Sequence, residues 1–149
     1  MTFGVLYAKD ADGFTFVWGF AYSGNEIDKE GNIYAYNPGK DSASVLYHAD
    51  GYYSQAELGS KLSHNRLFIA TVAADSLNWI CTLANGVTMN EYSDTMRVGA
   101  DMGSVTYSVY LYRASFGKYQ QVRLKVEGDF TYFNKSESAI ALADWMKRN

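Results

Sequence analysis

The sequence predicts an α+β fold built on a mainly antiparallel β-sheet of about eight to ten strands, with a short middle helix and a C-terminal amphipathic helix. Three observations predict it. Runs of alternating apolar and polar residues recur along the chain, separated by turn residues such as Asp12-Gly13 and Asn85-Gly86. Tyrosine, a strand-favouring residue, occurs 13 times against a single proline. The last fourteen residues, SESAIALADWMKRN, change to helical spacing.

Element by element, TFGVLYAKDADGFTFVWGFAY reads as a hairpin turning at Asp12-Gly13. That register sets Tyr7 opposite Trp18, Val5 opposite Phe20 and Phe3 opposite Tyr22. Phe14, Phe16, Trp18, Phe20 and Tyr22 then share one face. A row of rings that large is rarely exposed on a soluble monomer, so it is read as core, with Tyr22 at its open end. SGNEIDKEGN is a polar loop. NIYAY and ASVLYH are short strands split by the turn NPGKDS. YSQAELGSKL is a short helix with Ser54 and Glu57 as a capping box. RLFIATVA and NWICTLA read as strands, the second ending at the Asn85-Gly86 hairpin signal. Residues 90–103 form a long loop of the functional or mobile kind. SVTYSVYLYR is a central strand covered on both faces. In YQQVRLKVE, Val122, Leu124 and Val126 face in, while Gln121, Arg123 and Lys125 face out. FTYF is one more short strand. In the final helix Ala139, Leu142, Ala143 and Met146 point inward, and Lys147 and Arg148 suit the C-terminal dipole.

The bulk properties bound the function. The 149 residues fit one domain, and 48% hydrophobic with 19% charged residues mark it as globular. A single cysteine excludes an internal disulfide framework. With no signal-peptide pattern and no run of about 20 apolar residues, a cytoplasmic location away from membranes is expected. The net charge of −3 is uneven: residues 1–101 hold six Lys/Arg against 12 Asp/Glu. This acidity argues against direct nucleic-acid binding, which needs cations to neutralise phosphates.

Chemistry-bearing motifs are sparse. Cys81 reads as a core cysteine on a strand face with Trp79 and Leu83. His48 and His64 have no nucleophile or carboxylate at a telling spacing, although Asp75 completes a formal set. One cysteine and two distant histidines do not make a zinc site. DADG (10–13) and DKEGN (28–32) read as turns rather than calcium loops. Asn134-Lys135-Ser136 matches a glycosylation sequon that has no meaning without secretion. No cofactor is expected.

The leading expectation is therefore a small non-enzymatic binding module that docks a protein partner through tyrosine-rich and acidic surfaces. Small inhibitors of the phage-borne or immunity type have this profile. The candidate contact residues are Tyr34, Tyr36, Tyr52, Tyr53, Tyr110 and Tyr112, with Arg97, Arg113, Asp28 and Glu30. A second expectation is a nucleotide- or sugar-binding protein with an aromatic pocket between sheet and helix. There Arg97, Arg113, Arg123 and Lys125 would meet phosphate. A third is a hydrolase using His48 or His64. A homo-oligomer through an exposed strand such as YQQVRLKVE is weighed as well, against its charged outward residues.

Overall fold

A computed structural model of the chain describes residues 14–20, 23–27, 30–36, 50–57, 66–89, 91–101 and 103–149. Among these, the strands are β1 (Phe14–Phe20), β2 (Ser23–Ile27), β3 (Asn32–Tyr36), β4 (Tyr52–Tyr53), β5 (Arg66–Thr71), β6 (Met96–Arg97), β7 (Ser104–Arg113), β8 (Lys118–Gly128) and β9 (Phe130–Phe133). The helices are α1 (Ala74–Asn85) and α2 (Glu137–Arg148). Every described pairing is antiparallel. The spatial order is β5-β3-β2-β1-β7-β8-β9-β6, with β4 also beside β8. The fold is α+β.

β7 is the axis of this arrangement. It pairs with β1 on one side and β8 on the other, and Thr106 through Leu111 are buried without a break. Strand side chains alternate, so Tyr107, Val109 and Leu111 face one way and Thr106, Ser108 and Tyr110 the other. The first set joins Ile27, Ile33, Val122 and Leu124 in the main core, which the two helices cover. α1 contributes Leu77, Ile80 and Ala84, and α2 contributes Ala139, Leu142, Ala143, Trp145 and Met146. Each fully buried aliphatic side chain there stabilises the fold by about 1.5–3 kcal/mol. α2 starts where Ser136 Oγ accepts the Ala139 N–H at 3.3 Å, and it ends on Lys147 and Arg148.

Several expectations hold at residue level. SVTYSVYLYR and FTYF are β7 and β9, and the four inward residues named for the last helix are buried. The capping box forms at a helical stretch at 55–57. The Glu57 N–H donates to Ser54 Oγ at 3.1 Å, and the Ser54 N–H to Glu57 Oε2 at 2.6 Å.

Others are corrected. NWICTLA is not a strand but lies within α1. Leu77, Ile80 and Ala84 recur at helical spacing and are buried, which outweighs the strand preference of Trp79 and Thr82. Consequently Trp79 is exposed and Cys81 is half-buried, so the two do not share a face. Asn85-Gly86 ends the helix instead of turning a hairpin: the Gly86 N–H donates to Leu83 O at 2.9 Å. Part of the expected polar loop, SGNEI, is strand β2, held between β1 and β3. Trp18 pairs with Asn25 on one side and Tyr107 on the other, so both its edges are taken and the pairing with Tyr7 is excluded. The Asp12-Gly13 turn and the strands expected at 2–9 and 43–48 lie outside the described residues. The register does set Phe14, Phe16 and Trp18 opposite Leu111, Val109 and Tyr107 of the core.

The described residues of the expected 90–103 loop, 91–101 and 103, are more regular in pattern than a loop. β6 pairs with β9, Tyr92 bridges to Asn134, and the Ser93 and Lys135 N–H groups donate to Phe133 O and Glu91 O. Asn134 fastens this strap. Its amide donates to Thr88 O at 2.5 Å and its Oδ1 accepts the Ser136 N–H at 2.9 Å. Fully buried, it presents no glycosylation surface. Finally, the β7–β8 register shifts between Tyr107 and Ser108. The extra residue on β8 turns Lys125 to the row of Tyr107 and Val126 to the row of Thr106, reversing their expected faces.

Candidate functional site

The tyrosines converge at one end of the sheet, where β7 turns into β8. Arg113 and Lys118 close the ladder, and residues 114–117, Ala-Ser-Phe-Gly, make the turn. The Phe116 N–H donates to Arg113 O at 3.0 Å and the Gly117 N–H to Ala114 O at 3.3 Å. Gly117 has φ +60°, a left-handed conformation that costs glycine little. The turn holds the Phe116 ring out in solvent.

β4 docks on the outer edge of β8 at the same end. Tyr52 pairs with Gln120 and Tyr53 with Tyr119, and the Gln121 N–H donates to Gly51 O at 2.9 Å. Asp50 Oδ1 accepts the Tyr52 N–H at 3.0 Å, an Asx turn that places an exposed carboxylate beside the rings. Three ring contacts result. Tyr53 and Tyr110 meet edge-on at 5.5 Å and are both buried. Tyr112 and Tyr119 meet at 5.2 Å, with Tyr112 exposed. Tyr52 and Phe116 meet at 5.2 Å across the turn. The Arg113 Nε–H donates to Gln120 Oε1 at 2.9 Å and is thereby oriented along the strand.

Of the expected contact residues, Tyr52, Tyr53, Tyr110, Tyr112 and Arg113 are therefore brought together. Tyr34 is not: it packs edge-on against Phe68 at 6.0 Å, several strands away. Tyr36 lies on β3 opposite Gly24 and Arg66, and Arg97 is exposed on β6 opposite Phe130. Glu30 is exposed before the β3 strand, at the same end of the sheet as the tip. Three strand spacings of about 4.8 Å put this turn roughly 15 Å from it. Asp28, His48 and His64 lie outside the described residues, and Asp75 is an exposed residue in the first turn of α1. Sequence reading missed Phe116 and Tyr119. The signal for them was Ala114-Ser115-Phe116-Gly117, a four-residue hairpin loop ending in glycine between two strong strands.

Two other clusters lie apart from the tip. On the face opposite the helices, Arg123 Nη1 donates to Tyr132 Oη at 3.0 Å and the Tyr92 hydroxyl donates to Arg123 O at 2.9 Å. Burial raises the Tyr92 hydroxyl above its ordinary pKa. On the helix side, a groove of about 280 Å³ runs between α2 and the β8–β9 pair. It is lined by Leu124, Lys125, Phe133, Ile140, Ala143 and Asp144. Close by, Glu127 Oε1 accepts hydrogen bonds from Lys125 at 2.6 Å and Lys147 at 2.9 Å. Partial burial pushes this carboxyl up, but the two ammonium groups outweigh it and hold it below the usual carboxylate range. The same contact raises Lys147, while Tyr107 is raised by burial first and by Glu127 second.

Among the described residues no three His, Cys, Asp or Glu side chains converge on a metal-sized site, and no helix is long and apolar enough to cross a membrane. The chain matches no protein-family model, no curated protein and no solved structure.

Proposed function

We propose that this protein is a non-enzymatic binding module whose β7–β8 tip docks a protein partner. One observation carries the reading: two ring pairs, Tyr112–Tyr119 and Tyr52–Phe116, flank a single tight turn beside the Asp50 carboxylate. Rings on paired strands lose little conformational freedom on binding and offer both apolar area and hydroxyl tips. The buried Tyr53–Tyr110 pair stiffens the face that carries Tyr112 and Tyr119, while Tyr52 lies on the opposite face of the tip. Asp50 and, farther along the same end, Glu30 favour a partner with basic residues around an apolar centre. Such a module acts in the cytoplasm by covering its partner's working surface, as small phage-borne and immunity-type inhibitors do.

The test is a quantitative capture experiment with the intact protein and a Tyr112→Ala/Phe116→Ala variant, read by native mass spectrometry. One stoichiometric partner is expected with the intact protein and at least tenfold less with the variant, with circular dichroism unchanged. Equal capture by both would sink the reading.

The groove between α2 and β8–β9 favours a second reading, a small-ligand site between sheet and helix. Lys125 and Asp144 are its polar groups and Phe133 its one ring, so it suits an apolar ligand with a single charged end better than a nucleotide. A thermal-shift series with fatty acids and nucleotides separates the two chemistries, since a ligand specific to the native state raises the melting temperature.

A further inference from the structure

We infer that the helix-side face of the β7–β8 tip takes up an acidic side chain of the docked partner, its carboxylate held between Arg113 and Lys118. The two cations stand directly opposite each other as the last rung of the β7–β8 ladder. Facing Cα atoms lie about 4.5–5.5 Å apart, and like charges placed so repel. Among the described residues the ion pairs are Lys125–Glu127 and Lys147–Glu127, and neither Arg113 nor Lys118 has a carboxylate partner. Asp50 does not supply one. The β4–β8 register sets it level with Val122, four positions or about 14 Å along β8 from Lys118. The other end of β8 shows what such a pair holds. There Glu127 Oε1 accepts from Lys125 at 2.6 Å and from Lys147 at 2.9 Å, so one carboxylate settles two cations. Arg113 and Lys118 repeat the two cations without the carboxylate.

The groups around the pair fit a carboxylate with an apolar neighbour. Strand alternation puts Arg113, Lys118, Gln120 and Tyr52 on one face. Gln120 Oε1 takes the Arg113 Nε–H at 2.9 Å, which fixes the guanidinium plane and turns its terminal nitrogens to a planar, two-oxygen acceptor. Lys118 is exposed and Phe116 is 65% exposed, so both stand in solvent. A carboxylate alone gains little at so wet a place. The Phe116 ring, in contact with Tyr52 at 5.2 Å, supplies the apolar area that a neighbouring residue covers. Covering it excludes water and strengthens the ion pairs. The occupant is thus an Asp or Glu next to a large apolar residue. The inference rests on the docking reading for the occupant's being part of a protein, whose surface anions are carboxylates. It adds an acidic contact on the face away from Tyr112 and Tyr119, so the partner carries charges of both signs.

Heteronuclear NMR titration of the intact protein tests it with two dipeptides, N-acetyl-Trp-Glu-amide and N-acetyl-Trp-Gln-amide. The Glu peptide is expected to bind with a millimolar Kd and to shift the signals of Arg113, Phe116 and Lys118. The Gln peptide is expected to bind about fivefold more weakly, the scale of two partly solvated ion pairs. In Arg113→Gln/Lys118→Gln the two peptides are expected to bind alike. Lys118→Gln alone, at an exposed position, is expected to reduce the preference and keeps the test open should the double variant fold poorly. Equal binding of the two peptides by the intact protein, or a preference that survives Arg113→Gln/Lys118→Gln, overturns the inference. Tighter binding of phenyl phosphate than of the Glu peptide does so too, because the site then prefers a phosphoryl group. The capture experiment separates this inference from docking itself. A partner lost with Tyr112→Ala/Phe116→Ala but fully retained with Arg113→Gln/Lys118→Gln leaves docking standing and overturns the inference. Equal capture by the Tyr112→Ala/Phe116→Ala variant sinks docking, while the dipeptide preference still decides the carboxylate site.

Discussion

Tyr110 and Tyr112 stand two residues apart on the same face of β7, each in contact with another tyrosine ring at 5.5 Å and 5.2 Å. Tyr110 and its partner Tyr53 are each 1% exposed, whereas Tyr112 is 46% exposed. Residue type, partner type and contact geometry are nearly the same, so none of these separates a structural pair from a docking pair. Distance from the middle of β7 does. Tyr110 lies within the unbroken buried stretch Thr106–Leu111, and Tyr112 begins the hairpin end beyond it. A tyrosine-rich strand thus spends its inner rings on cohesion and its outer rings on the surface.

Truncation gives the sharpest contrast. Tyr110→Ala removes a fully buried ring and is expected to cost about 3–5 kcal/mol, read from the urea midpoint at unchanged slope. Tyr112→Ala forfeits only a partly solvated ring contact, with about 0.5–1.5 kcal/mol expected in the same titration. Losses of equal size would break the distinction between the pairs. The smallest effect serves as the measure of a surface polar contact. Glu127→Gln is expected to cost about 0.2–1 kcal/mol at neutral pH. The folded-state pKa of Glu127 lies below its unfolded value, so its contribution is present above the unfolded pKa and lost as pH falls through the folded one. Intact and Glu127→Gln proteins should therefore differ at pH 7 and converge only once the pH has fallen below the lowered folded-state pKa of Glu127. Parallel curves down to low pH would remove the charge-based account.

Where one physical signal dominated, the sequence was readable. β7, β9 and α2 have unmixed periodicity, and Ser54 with Glu57 and Ser136 mark helix starts by side-chain chemistry. α1 was misread because Ala73, at its N-cap, makes no side-chain cap and NWICTLA is rich in strand-favouring residues. β2 was missed because Ser23, Gly24 and Asn25 are poor strand formers. They pair because β1 and β3 supply an edge on each side. The shift that exchanges Lys125 and Val126 arises from one extra residue on β8, and no alternation pattern in YQQVRLKVE encodes it. Of the site, the tyrosines were legible as residues but not as a group. Tyr52 and Tyr53 meet their partners Phe116 and Tyr110 only after β4 pairs with β8, far along the chain.

The pairing of β1 with β7 sets an order of events during synthesis. Phe14 is opposite Leu111, so one of the first described strands waits for nearly the last third of the chain. β7 and β8 are joined by a four-residue turn and can zip locally, whereas β1 must close a loop spanning most of the protein. Until β7 leaves the ribosome, the edge of β1 that will become the middle of the sheet is a bare border. Among the described residues, premature termination before Ser104 therefore leaves the β1 border without its β7 partner, on a fragment stripped of α2. Such a fragment is an aggregation substrate.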